Sequence, residues 1–361
     1  MITTDSASQL LHKESQLILI SENFSGHRLD WLIRLVKLIG ERDLAVFAID
    51  VSRLTHDPFD FEIEIYSDFK SKHELIKFIG KNQVKATLIF WDGDNWLFEM
   101  FRLKANIRGL IMRPYLASRS LRDLTVFVIK RLTMLFLKKF KSIELAYLAI
   151  PYCIVGKKRN YWVDDDLLID SEFLKILRGQ RLLNQRKQSF KILVPGYISE
   201  RKSPKLIIDA CKILSNNSQY EFELVFQGKV EESLKATFAI NNMSWLKVHD
   251  KYFPRSEYLE LLNEADVVVI PYSTIASSGV AVECFALNVP LIMLQDYRWY
   301  GAVSQAGINL RLTKRHVDQL AIILNEVLSS SLEQREEFDF KYTEVQTALN
   351  FLVEGQLRGS A

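Results

Sequence analysis

Residues 191–210 (KILVPGYISERKSPKLIIDA) place a glycine and two adjacent cations between an apolar run and a helical pattern. Gly196, Arg201 and Lys202 fall in the loop, and the helix is predicted to start with Ser203 as N-cap and Pro204 at its first position. Backbone amides at a helix start attract anions, and nearby cations strengthen the attraction. The segment therefore suits a diphosphate, and a solvated basic loop is the alternative interpretation.

Residues 265–294 (ADVVVIPYSTIASSGVAVECFALNVPLIML) form a second strand–loop–helix unit. Its loop contains Ser277, Ser278 and Gly279, and Glu283 follows one turn into the helix. Serine hydroxyls and backbone amides can hold a phosphate without a metal ion. The Glu283 carboxylate is suited to accept hydrogen bonds from ribose hydroxyls. The alternative is an ordinary strand–loop–helix unit with Glu283 exposed.

Polar residues also follow two predicted strands of the N-terminal half. Gly26 and His27 lie at the first strand–helix turn, where His27 is a candidate donor to a phosphate or an acceptor, or else a contact of the helix N-terminus. Asp92 and Asp94 follow the strand ATLIFW and are interpreted as contacts to an acceptor. We expect no metal site, because no carboxylate cluster has the pattern of a divalent-cation site.

Strands alternate with helices along both halves of the chain, which predicts an α/β protein with parallel sheets covered on both faces. The predicted domains are residues 1–185, residues 186–335, and a C-terminal helix at 336–361 that crosses back to the first domain. Residues 174–189 are rich in Arg, Gln and Asn and are predicted to be a linker or a crossing segment.

The composition is that of an ordinary globular protein: 361 residues, 48% hydrophobic and 25% charged. A net charge of +3 is not typical of a general nucleic-acid binder. The three cysteines, Cys153, Cys211 and Cys284, lack metal-ligand spacing and are expected to be buried thiols. The N-terminal residues do not have a signal-peptide pattern and no run suits a membrane span, so a cytoplasmic location is expected.

The net charge is distributed unevenly. Residues 102–141 carry eleven basic side chains and one acid, Asp123, so this segment is +10 and the other 321 residues are 3 − 10 = −7. Residues 119–141 have helical periodicity with most basic positions on one side. Such a helix suits an anionic membrane surface or an acidic substrate. A solvated helix face packed on a sheet is the alternative.

In this order and spacing, the two strand–loop–helix units resemble the nucleotide-sugar domain of retaining GT-B glycosyltransferases, the large family 4 group. The resemblance is carried by Gly196 and Lys202 and by Ala265-Asp266-Val267, Pro271-Tyr272, Gly279, Glu283, Ala286-Leu287-Asn288 and Pro290-Leu291-Ile292. It covers residues 190–329 well and the N-terminal half weakly. It implies a GT-B fold, in which two Rossmann-like domains face each other across a cleft.

The resemblance also implies roles for individual residues. Lys202 matches the phosphate-binding lysine of the family, and Glu283 matches the glutamate that faces the nucleotide ribose. Ser278 and Gly279 match the loop near the pyrophosphate. Gly26 would approach the sugar or phosphate from the other domain.

Two positions depart from the family pattern. Ile275 stands where members often have a glutamate that contacts the donor sugar, and Tyr197 follows Gly196 where many members have a phosphate-binding arginine. Arg201 could substitute for that arginine. These departures keep open a non-catalytic GT-B protein that binds a nucleotide or glycan as the partner of an active transferase. An epimerase is a third interpretation, but the carboxylate pair for its chemistry is not evident.

The function that the resemblance implies is transfer of a sugar, with retention, from a UDP- or GDP-linked donor to a glycan or lipid-linked acceptor. Such an enzyme would need no cofactor or metal ion and would serve cell-surface polysaccharide or glycan biosynthesis. The basic segment at 102–141 would rest on the inner face of the membrane.

Overall fold

The computed structural model consists of two α/β units. It describes residues 4–13, 16–24, 28–40, 44–51, 63–100, 102–111, 125, 128–129, 132–133, 136, 142–149, 162–164, 171–183, 189–217, 220–241, 243–270, 278–294, 310–313, 316–329 and 351–353. Unit 1 comprises Met1–Ala149, Gly156–Leu168 and Val345–Ala361, and unit 2 comprises Ile150–Val155 and Ile169–Glu344.

Unit 1 contains a seven-stranded parallel sheet with the strand order β3-β2-β1-β4-β5-β6-β7. Its strands are β1 Leu17–Ser21, β2 Leu44–Ala48, β3 Glu64–Tyr66, β4 Thr87–Phe90, β5 Asn106–Ile111, β6 Ile143–Ala149 and β7 Trp162–Asp164. Its helices are α1 Thr4–Leu11, α2 Arg28–Ile39, α3 Lys72–Lys81 and α4 Leu97–Met100. All five residues of β2 are buried, as expected for a strand covered on both faces.

Unit 2 contains a six-stranded parallel sheet with the order β10-β9-β8-β11-β12-β13. Its strands are β8 Phe190–Pro195, β9 Phe222–Gln227, β10 Leu246–His249, β11 Val267–Ile270, β12 Leu291–Leu294 and β13 Leu310–Thr313. Its helices are α5 Ser171–Leu183, α6 Pro204–Asn217, α7 Lys235–Ile240, α8 Arg255–Glu264, α9 Gly279–Ala286 and α10 Val317–Ser329. The prediction of two α/β halves with parallel sheets is confirmed. Strand β13 was missed.

The predicted linker at 174–189 is wrong for most of its length, because α5 is a packed helix. Leu177 is fully buried and its carbonyl accepts a hydrogen bond from Nδ2 of Asn263 at 2.7 Å. Arg178 donates from Nε to the carbonyl of Ala286 at 2.7 Å. The polar residues that suggested a linker include Gln180, which lies on the exposed side of the helix. Unit 2 therefore includes α5. The predicted domain boundary between residues 185 and 186 lies after this helix.

The C-terminal residues that the structure describes lie in the core of unit 1. Phe351 and Leu352 are buried in the cluster that contains Trp31 and Trp91. Arg108 of β5 donates from Nη1 to the carbonyls of Leu352 and Val353. Most of the predicted terminal helix at 336–361 lies outside the described residues. Cys211 and Cys284 are buried as expected, and Cys153 lies outside the described residues.

Candidate functional site

The two predicted strand–loop–helix units meet at one edge of the second sheet. Strand β8 pairs with β9 on one side and with β11 on the other, so the connections that leave β8 and β11 diverge to opposite sides. A crevice forms at the carboxyl ends of strands where such a reversal occurs, and ligands bind there in open α/β sheets. The loop with Gly196 and Lys202 follows β8, and α9 follows β11. The topology therefore places both predicted motifs at one switch point.

Lys202 is a buried cation at this edge. It ends a 3-10 turn at Glu200–Lys202, it is 3% exposed, and its Nζ donates a hydrogen bond to the carbonyl of Pro195. Burial, and secondly the charge of the half-buried Arg201, lowers the pKa of Lys202 from 10.5 to about 7. A buried lysine with a lowered pKa is costly to the fold, which makes it a candidate functional group. Pro204 begins α6 as predicted, while Ser203 before it has a φ of 48°.

Two glycines bring the backbones of the β8 and β9 ends close together. Gly196 has a φ of 78° and donates from its amide to the carbonyl of Gln227 at 2.8 Å. A Cβ on Gly196 would lie 3.2 Å from Nζ of Lys202. Gly228 has a φ of 143°, and a Cβ there would lie 2.2 Å from the carbonyl oxygen of Gly196. Both positions require glycine, because neither backbone angle nor space suits a side chain.

Replacing Gly228 with Ala should therefore disrupt the loop that carries Lys202. We expect a loss of roughly 2 kcal/mol or more in unfolding free energy, because the new methyl group displaces the backbone at Gly196. Urea denaturation measures the loss. Gly179 in the middle of α5 is the matched control, since a Cβ there meets nothing within 4 Å. Gly179→Ala should stabilise the protein by about 0.5–1 kcal/mol. Equal stability of the two variants would contradict this account of Gly228.

Ser278 and Gly279 form the start of α9. Ser278 is the N-cap and is 4% exposed, and its Oγ accepts a hydrogen bond from the amide of Ala281 at 3.4 Å. The hydroxyl keeps its own proton for donation, because capping uses only an oxygen lone pair. Gly279 is the first helical residue. Ser277, the third predicted residue of this loop, lies outside the described residues.

Glu283 lies inside unit 2 with both carboxylate oxygens engaged, so the alternative of an exposed Glu283 is wrong. The residue is 2% exposed. Its Oε1 is 2.6 Å from Nη1 of Arg255, and its Oε2 accepts a hydrogen bond from Oη of Tyr258 at 2.8 Å. Burial of the Tyr258 hydroxyl, together with the Glu283 charge, raises the pKa of Tyr258 well above its ordinary value. Helix α8 thus holds the carboxylate in a fixed orientation.

Arg255 and Tyr258 are residues that sequence analysis missed. They stand in the segment RSEYLELLNE, where a mixture of charged and apolar residues indicates only an amphipathic helix. Arg255 and Tyr258 are one helical turn apart, which lets one helix face reach both oxygens of Glu283. The tertiary contact between α8 and α9 identifies them, and no local sequence signal does.

Gln227 is a further polar residue at this edge. It ends β9, is 1% exposed, and neither Nε2 nor Oε1 has a hydrogen-bond partner among the described residues. An unpaired buried amide costs about 1–3 kcal/mol, so such groups are rare in ordinary cores. The available sequence signal was a glutamine at the end of a predicted strand, directly before Gly228.

The structure describes only some of the other predicted site residues. Asp92 precedes a 3-10 turn after β4 and accepts a hydrogen bond from Nδ2 of Asn95 at 2.6 Å. Asp94 lies in that turn, but its side chain is outside the described part of the chain. Gly26, His27 and Ile275 also lie outside it. Tyr197 is 52% exposed beside Gly196, at the position where the family pattern has an arginine.

Two kinds of feature are absent from the described residues. No group of three or more His, Cys, Asp or Glu side chains in them has the arrangement of a metal site. No described helix has both the length and the apolar character to cross a bilayer.

Comparison with known proteins connects this geometry to a class of enzymes. Residues 180–342 match the family model described as Glycosyl transferases group 1. The amylovoran biosynthesis glycosyltransferase AmsK of Erwinia amylovora is 25% identical over 166 residues, which cover 40% of this chain and 41% of that protein. The match therefore spans about two fifths of the curated relative.

Three solved structures resemble the whole chain in fold. The α,α-trehalose 6-phosphate synthase from Burkholderia multivorans has a TM-score of 0.60 at 10% identity and covers 90% of this chain and 93% of its own. Anabaena Alr3699/HepE in complex with UDP and glucose has a TM-score of 0.56 at 15% identity, covering 93% and 94%. WaaG, a glycosyltransferase involved in lipopolysaccharide biosynthesis, has a TM-score of 0.55 at 14% identity, covering 94% and 98%.

These likenesses show the fold of the chain and relate one of its segments to a known family. The parallel sheets and the structural neighbours show a GT-B fold. Within that fold, residues 180–342 match the model of group 1 glycosyltransferases.

Proposed function

We propose that the protein transfers a sugar from a nucleotide diphosphate sugar to a glycan or lipid-linked acceptor. The observation that carries this proposal is the placement of Lys202 and α9 at one switch point, inside residues that match group 1 glycosyltransferases. The name of the relative AmsK, an amylovoran biosynthesis glycosyltransferase, supports a role in polysaccharide biosynthesis.

The donor diphosphate would bind at the carboxyl ends of β8 and β11. Lys202 and Arg201 would supply positive charge, and Ser278 and Gly279 would supply a hydroxyl and backbone amides at a helix start. Breaking the sugar–phosphate bond leaves negative charge on the diphosphate. Cations fixed where that charge develops are the largest expected catalytic contribution. This arrangement lets the chain stabilise the leaving group with its own residues, so we propose transfer without a metal ion or cofactor.

Glu283 would act as the acceptor for ribose hydroxyls after a local adjustment. Its oxygens are held by Arg255 and Tyr258, and a carboxylate oxygen can accept more than one hydrogen bond. We propose retention of the anomeric configuration from the resemblance to family 4. The acceptor would bind unit 1, with Asp92 and Asp94 as candidate contacts. UDP and GDP both suit the proposed diphosphate site.

A donor screen tests this proposal directly. Isothermal titration calorimetry with UDP and GDP should show binding of at least one of these nucleotides. The Lys202→Met variant should bind that nucleotide at least tenfold more weakly, since charge-assisted contacts contribute about 1.5–3 kcal/mol each. Incubation with nucleotide sugars and candidate acceptors, followed by NMR of the product, should show a retained anomeric configuration. Failure of the wild-type protein to bind either nucleotide would overturn the proposal.

A non-catalytic GT-B protein is the second candidate. It is favoured by Tyr197, which replaces a family arginine and is 52% exposed, and by the internal pairing of both Lys202 and Glu283. Such a protein would bind a nucleotide or a glycan and assist an active transferase. Nucleotide binding with no transfer and no donor hydrolysis, across the full screen, would establish this alternative.

A further inference from the structure

A stripe of large apolar side chains is exposed on a helical segment of unit 1. The described residues between 125 and 136 are all helical. Val128, Ile129, Leu132 and Phe136 are 45%, 43%, 61% and 52% exposed, respectively. Their spacing of three and four residues places them along one side of a helix. Single exposed apolar residues are ordinary, but four along one stripe indicate a surface that binds something.

The charge around this stripe indicates its partner. The stripe lies within residues 102–141, which carry eleven basic residues and one acid in a chain of net charge +3. The periodicity of the sequence predicts that the basic positions between 119 and 141 fall mainly on the side away from the stripe. An apolar stripe with basic residues on the opposite and flanking sides is typical of a helix that lies in the interface of an anionic bilayer. A protein partner would need no such excess of a single charge.

We propose that this stripe, Val128, Ile129, Leu132 and Phe136, docks the protein on an anionic lipid surface. The apolar side chains would enter the boundary between headgroups and acyl chains, and the basic residues of the segment would be attracted by the negative surface potential of the anionic headgroups. Anionic lipid is concentrated on the cytoplasmic leaflet, so the inner face of the cell membrane is the expected surface. There the protein would lie beside a lipid-linked acceptor, but docking itself does not depend on the proposed transferase activity.

Vesicle co-sedimentation of the full chain tests the docking surface without donor or acceptor. The protein should bind vesicles that contain phosphatidylcholine and phosphatidylglycerol in a two-to-one ratio, and should not bind vesicles of phosphatidylcholine alone. Binding should weaken as salt rises from 0.1 to 1 M, because the screening length falls from about 10 to about 3 Å. Ile129→Asp and Leu132→Asp should each reduce binding by roughly tenfold or more, since each removes several buried methylene groups from the lipid boundary.

Ile240→Asp is the matched control, because Ile240 is 82% exposed in unit 2 and lies outside the basic segment. This variant should bind vesicles as the wild type does, and circular dichroism should show that all three variants are folded. The proposal is wrong if the wild type does not bind anionic vesicles, or if Ile129→Asp and Leu132→Asp bind as well as Ile240→Asp. A dimer in sedimentation velocity that Leu132→Asp abolishes, without any vesicle binding, would identify a second copy of this chain as the true partner.

Discussion

Replacing Lys202 with Met should reduce sugar transfer by roughly 10²–10³-fold while making the protein more stable. Sugar transfer should fall because the variant lacks one fixed positive charge near the leaving diphosphate. The gain arises because Lys202 is 3% exposed and its pKa is lowered to about 7, so burial disfavours its charged form. Methionine fills a similar volume without a charge. We expect a gain of roughly 2–4 kcal/mol near pH 6, measured by urea denaturation.

The pH dependence of this gain follows from the direction of the pKa change. Below about pH 7, Lys202 is protonated in both the folded and the unfolded chain, so the full cost of the buried charge is present. Between about pH 7 and 10.5 the unfolded chain holds one more proton, so this group makes the wild type more stable as pH rises. The advantage of Lys202→Met should therefore shrink through that window. Nucleotide affinity should fall over the same range, because an anion favours the protonated lysine.

Lys205→Met is the matched control for Lys202→Met. Lys205 lies three residues further along the chain, in the first turn of α6, and is exposed. Its replacement should leave transfer within about twofold of wild type and stability within about 0.5 kcal/mol. If Lys202→Met retained full transfer, or were destabilised at pH 6, the role assigned to this buried cation would be wrong.

Replacing Glu283 with Ala should destabilise unit 2 by about 3–5 kcal/mol, because it removes the carboxylate that faces the Arg255 charge in a largely buried network. The Arg255 Nη1 atom lies 2.6 Å from Oε1 of Glu283, and Tyr258 would lose its acceptor as well. The thermal midpoint of unfolding should fall by roughly 10 °C for a unit of this size. Loss of activity in this variant would thus combine a structural effect with any loss of ribose binding.

A double variant separates the structural effect from the loss of ribose binding. The variant that combines Arg255→Met with Glu283→Gln should recover most of the stability lost in Glu283→Ala, because no buried charge remains. Its nucleotide affinity then reports the direct contribution of the carboxylate. The exposed pair of Lys191 and Glu264, 2.7 Å apart, is the control, and Glu264→Ala should cost no more than about 1 kcal/mol. If Glu283→Ala lowered the free energy of unfolding as little as Glu264→Ala does, the result would contradict the buried network.

The amino-acid sequence was sufficient to predict the α/β alternation and the two motifs of unit 2. Runs such as Val267–Ile270 are short and wholly apolar, which is typical of a strand covered on both faces. Pro204 and Gly279 mark the two helix starts because their effects on the backbone are local. Sequence reasoning failed at α5, where polar residues on the exposed side hid the buried side chain of Leu177.

Local chemistry thus determined which residues are candidates for the site: Gly196, Lys202, Ser278 and Glu283 all stand in segments whose pattern predicts their secondary structure. The tertiary structure alone decided their surroundings. Burial lowers the pKa of Lys202, and the packing of α8 on α9 pairs Glu283 with Arg255. Both effects depend on groups distant in sequence, or on the exclusion of water by a whole layer of helices. No periodicity in a single chain segment encodes them, because burial and long-range pairing exist only once the sheet and its helices have assembled.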